Sequence, residues 1–111
     1  MTKSEIKFTI DLDDNNIPEK ISWGATDQGT KIMETKAISL SLWDPSQENT
    51  MRIDLWTKEM PVEEMKRFTV DCLGGLAQTV LNSTADEFMA SEINALCEKL
   101  VEHIKKEQTN N

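Results

Sequence analysis

Groups able to do covalent chemistry are few in this chain and far apart in sequence. His103 is the single histidine, Cys72 and Cys97 are the two cysteines, and tyrosine is absent. A general base at His103 needs a nucleophile and an orienting acid beside it, and no residue spacing supplies them. Its place near the end of a C-terminal helical stretch suits an imidazolium at the negative end of a helix dipole. A zinc site of the Cys₄ or Cys₂His₂ type needs more ligands, arranged in close pairs. The two cysteines fall on or beside apolar helical stripes and read as reduced core thiols. A disulfide between the helices is the alternative, and it depends on Cβ geometry.

Two other stretches invite a chemical reading. Asp11-Leu12-Asp13-Asp14-Asn15-Asn16 begins like a calcium loop. However, Asn16 stands where such a loop has glycine, and Ser22 stands where it has its final Glu. A solvated acidic turn is expected instead. Gly74-Gly75 lies within a helical pattern and follows no strand, so it is no phosphate cradle. It either lets a helix backbone approach a neighbour closely or kinks the helix. No catalytic residue, cofactor or metal ligand is assigned, and the chain is expected not to be an enzyme.

Recognition remains, and Trp43 and Trp56 are its candidates. Residues 37–43 and 51–56 alternate strictly, which predicts two strands joined by Asp44-Pro45-Ser46-Gln47-Glu48-Asn49. The implied register sets Leu42 against Met51, Leu40 against Ile53 and Ile38 against Leu55 on one face. The opposite face then carries Trp43, facing Thr50, and Trp56, facing Ala37, with Ser39, Ser41, Arg52 and Asp54. Tryptophan and arginine are enriched at binding hot spots. These six residues are therefore the candidate interface: Trp43, Trp56, Arg52, Asp54, Ser39 and Ser41. The alternative is that segments such as 32–35 cover the rings within the chain.

The elements that must position this face follow from periodicity. Residues 5–12 alternate, with Ile6, Phe8, Ile10 and Leu12 on one side, and the Asp13–Asn16 cluster ends that strand. Ile17, Ile21 and Trp23 also alternate, but Pro18 lacks a ladder donor. A strand there is expected to be short or at a sheet edge. Residues 24–31 read as a mobile loop. Pro61 opens the first helical turn, with Glu63 and Glu64 beside the positive dipole end. An apolar stripe runs from Val62 to Leu81. Thr84-Ala85-Asp86-Glu87 fits a capping box with Thr84 as N-cap. The second stripe runs from Phe88 or Met89 to Ile104, and residues 105–111 are expected to fray.

Together these predict an α+β fold in one domain, residues 1–111. An antiparallel sheet of three to four strands, within about 4–57, precedes two C-terminal amphipathic helices, about 61–82 and 85–106. The helices are expected to pack on the aliphatic sheet face.

The chain of 111 residues holds 12 Lys and Arg against 20 Asp and Glu, a net charge of −8. That charge repels nucleic acid and anionic membrane surfaces. No apolar run approaches the roughly 20 residues of a membrane span, and the N-terminus lacks the apolar core of a secretory signal. A cytoplasmic location is therefore expected, with no direct membrane insertion.

The stretches IPEKISW, LSLWDPSQENTMRIDLWTKEMPVEEMKRF and LGGLAQTVLNST resemble the gliding-motility-associated GldC family of Bacteroidetes. The resemblance spans nearly the whole chain and carries no catalytic motif. It implies a small soluble accessory or assembly protein of the gliding apparatus, itself coupled to a secretion system. Its expected partners are other proteins of that machinery, with a homo-oligomer also open. Two alternatives stay beside it: a holdase-like chaperone for exported motility or secretion proteins, and a small ligand-binding domain.

Overall fold

The computed structural model describes residues 2–26 and 31–109. Five antiparallel strands precede two helices: β1 (Ile6–Leu12), β2 (Pro18–Ala25), β3 (Met33–Thr35), β4 (Ala37–Asp44), β5 (Asn49–Trp56), α1 (Val62–Thr84) and α2 (Glu87–Thr109). The order is the expected α+β one. Contacts divide the chain into two compact units, Met1–Met60 and Pro61–Asn111.

Within the first unit the strands form two sheets rather than one, a three-stranded β1-β2-β3 and a two-stranded β4-β5. The extra strand is β3, which falls in the segment that was the alternative cover for the tryptophans. It pairs instead with β2, through Ile21–Thr35, Ser22–Glu34 and Trp23–Met33. The expectation for β2 also needs correction, because it is eight residues long and central. Pro18 is tolerated because it is the first residue of the strand, opposite Leu12, where the register against β1 slips. Its missing N–H therefore lies outside the regular ladder. The same strand runs on through Gly24 and Ala25, which were expected in a loop. Of the remainder of that loop, Asp27–Thr30 lie outside the described residues.

Ile21 sits at the centre of this sheet, between Ile10 and Thr35, and is fully buried at 0% exposure. Around it the apolar row thins outward: Phe8, Met33 and Ile6 are exposed. The β1–β2 turn is held by Asp13, whose Oδ1 accepts the amides of Asn15 (2.8 Å) and Ile17 (3.0 Å). Asn16 adopts a left-handed conformation there, one that asparagine tolerates well.

In the second unit, α1 begins at Pro61, which serves as N-cap, its carbonyl accepting the Met65 amide. α1 runs two residues further than expected and ends at the left-handed Ala85. The capping box is not formed. Asp86, not Thr84, caps α2 by accepting the Met89 amide at 3.0 Å. Thr84 belongs to α1, and its hydroxyl donates to the Val80 carbonyl. Asp wins because its carboxylate sits one residue before Glu87, the first residue of α2, in the position an N-cap requires.

The two-residue link folds α2 back along α1. Ala77 and Ala90 are buried, Cys97 Sγ lies 3.8 Å from the Val70 carbonyl, and Lys66 Nζ bonds Glu107 Oε1 at 2.7 Å. Cys72 and Cys97 are half-buried thiols and are not joined as a disulfide. α2 continues to Thr109, so residues 105–109 are helical rather than frayed, and Asn110 and Asn111 lie outside the described residues. His103 is accordingly six positions inside the helix end, with Nε2 3.5 Å from Glu107 Oε1. No helix among the described residues is long and apolar enough to cross a membrane.

Candidate functional site

The β4–β5 hairpin is in the register that alternation implies. Ala37 pairs with Trp56, Ser39 with Asp54, Ser41 with Arg52 and Trp43 with Thr50, while Ile38–Leu55, Leu40–Ile53 and Leu42–Met51 alternate with them. Asp44 closes the hairpin, its Oδ1 accepting the amides of Ser46 (2.9 Å) and Gln47 (3.3 Å). Glu48 takes the left-handed conformation that completes the turn. All six candidate residues thus share one face.

Polar and aromatic parts of that face are separated. At its centre, Arg52 donates from Nε to Asp54 Oδ2 (3.1 Å) and from Nη2 to Asp54 Oδ1 (2.9 Å). It also donates from Nη1 to Ser41 Oγ and from Nη2 to Ser39 Oγ, both at 2.9 Å. Ser39 Oγ donates to Asp54 Oδ1 at 2.8 Å. This forked pairing fixes a flexible guanidinium in one plane. The Arg52 bonds, with a smaller contribution from Ser39, hold the Asp54 carboxyl below its usual range. The rings flank this ladder at either end, with Trp43 65% and Trp56 56% exposed. The face thus presents two exposed flat rings around a polar centre whose groups are bonded to one another.

The opposite face differs from expectation. Ile38, Leu40 and Leu55 are half-buried, but Leu42, Met51 and Ile53 toward the turn are exposed. Strict alternation marks which residues share a face; it does not measure how far along the hairpin the cover extends.

A second cluster escaped sequence reading. Lys58 Nζ, just beyond β5, lies 2.6 Å from Asp13 Oδ2 and 3.9 Å from Glu19 Oε1. No local signal could join residues 45 positions apart. The Lys58 bond first, then the Ile17 and Asn15 amides, hold the Asp13 carboxyl at about 2, below its ordinary 3.8. A depressed folded-state pKa adds stability that is present above about pH 4 and is lost as pH falls toward 2. Asp13→Asn keeps the turn acceptor and removes the charge. The difference in urea midpoint between wild type and this variant should therefore shrink from pH 5 to pH 2. A difference independent of pH would show that the ion pair contributes nothing.

The model of the GldC-like family, described as gliding motility-associated protein GldC-like, matches residues 18–106. The chain belongs to the GldC-like family. No curated protein and no solved structure matches it. The GldC-like span takes in the whole β4–β5 hairpin and its six candidate residues, together with β2, β3, α1 and most of α2. It associates the chain with gliding motility, and GldC-like proteins are not a known family of enzymes. Among the described residues, no group of three or more His, Cys, Asp or Glu is placed to hold a metal ion.

Proposed function

We propose that this GldC-like protein is a non-enzymatic accessory or assembly protein of the gliding apparatus. It acts on the cytoplasmic side through protein–protein contact at the Trp43/Trp56 face. The observation that carries this reading is the pair of exposed tryptophans at the two ends of a closed Ser39–Ser41–Arg52–Asp54 ladder. The rings offer the large, rigid area typical of hot spots, and the ladder requires no new partner once buried. The two cysteines, expected from the sequence to be reduced core thiols and half-buried in α1 and α2, suit a reducing compartment.

Trp43→Ser with Trp56→Ser tests the reading in the cell that makes the protein. Because both rings are largely exposed, the purified variant should keep the wild-type circular dichroism. Loss of two hot-spot rings, each typically 2 kcal/mol or more, should abolish colony spreading at unchanged protein level. Normal gliding with the double variant would overturn the reading.

A further inference from the structure

The Trp43/Trp56 face is complementary to itself, and we infer that its partner is a second copy of this chain, docked face to face about a two-fold axis. This inference rests on the reading above and names the partner of the same face. The four cross-strand rows run in the order Ala37–Trp56, Ser39–Asp54, Ser41–Arg52, Trp43–Thr50. Successive rows are about 6.8 Å apart, two residues along an antiparallel strand. A two-fold axis lying between two such faces, across the strands and midway along them, reverses the row order and keeps β4 over β4 and β5 over β5.

That single operation matches the two central rows by charge and sets Trp56 over a small exposed residue. Trp56 lies over the partner's Thr50, which is exposed, and Trp43 reaches the end row of the partner, where Ala37 is buried within its own chain and leaves the neighbouring ring of Trp56 as the accessible surface. Arg52 lies over the partner's Asp54, and Ser41 over the partner's Ser39. The two intrachain ion pairs then stack head to tail as an alternating square of charges. Turning the second copy about the strand direction instead leaves each row over itself and sets no base over an acid. Isologous contacts require this kind of self-complementarity, in which residue i meets j and j meets i.

Charge and area agree with this occupant. Arg52 and Asp54 cancel, so the face is neutral on a chain carrying −8, and two copies meet where their mutual repulsion is least. A tryptophan contributes up to about 250 Å² when buried. At their exposures the two rings bring roughly 300 Å² per copy, and the polar rows carry the total to the lower end of specific interfaces, about 1,000–1,200 Å². The dimer should therefore depend on concentration.

Sedimentation equilibrium over a concentration series tests this. The wild-type chain should approach twice its 12.6 kDa mass. Arg52→Asp gives a face with two acids and Asp54→Arg a face with two bases, and each variant alone should stay at single mass. Both positions are about half exposed, at 50% and 45%, so both variants should fold, as circular dichroism will check. Mixed in equal amounts, they should return to double mass, because the two-fold sets each acid of one over a base of the other.

A wild type at single mass throughout, single variants that still dimerise, or a mixture that stays at single mass would each overturn the inference. The gliding assay separates the two readings. A monomer that still needs both tryptophans for gliding removes only the dimer. A dimer whose loss leaves gliding intact removes only the gliding role.

Discussion

Ile21→Ala is expected to lower stability by about 2–5 kcal/mol, the range for truncating a buried branched side chain to alanine. Ile21 is the only large side chain that is completely buried among the described residues, and it sits on the central strand with neighbours on both sides. Few other groups share the load: Ala37, Ala77 and Ala90 are the remaining buried apolar residues described. Removing three carbons at Ile21 therefore leaves a cavity at the point where β1, β2 and β3 meet. Ile6→Ala on the same face is the control, because Ile6 is exposed at the sheet margin and its loss should stay within about 0.5 kcal/mol. Urea titrations of the two variants decide the matter. Equal losses would mean that Ile21 is no core.

The second large effect has the opposite sign. Gly74→Ala combined with Gly75→Ala should raise stability by about 2 kcal/mol, the summed helix propensity of two glycines replaced by alanines. Sequence reasoning offered a close approach or a kink. Close approach to the other helix fails, since a Cβ built at either position meets no atom of α2 within 4 Å. Both glycines lie inside the continuous α1, where alanine fits the backbone and glycine carries only extra unfolded-state freedom. A fall in urea midpoint would show that one of the positions receives a contact in the folded protein. A rise that impaired colony spreading would mean that helix pliability is used in the cell.

The parts of this molecule legible in the sequence are those fixed by neighbours along the chain. Alternation between Ala37 and Trp56 gave the hairpin register pair by pair, because a one-residue slip would exchange its faces. The same alternation gathered all six candidate residues on one side. Three- and four-residue spacing located both helices to within about three residues.

Choices between near-equal local options were not legible. Thr84 and Asp86 both make good N-caps, and only the left-handed Ala85 determines which of them begins α2. Pro18 argued against a central strand, but a register slip at Leu12 accommodates it. Met33–Thr35 is too short to show a period, so its pairing with β2 could not be foreseen. Lys58 and Asp13 lie 45 residues apart, with four strands between them in the chain.

The connectivity sets a pace for folding. β1 pairs with β2, β2 with β3, β4 with β5 and α1 with α2, so each of these partners is the next element along the chain. Closing short loops costs little entropy, and folding rates rise as the mean sequence separation of contacts falls. Each hairpin can therefore form early and on its own. Within the first unit, the Asp13–Lys58 bridge belongs to the slower class of events, because it spans 45 residues and its two ends must first be presented by finished turns.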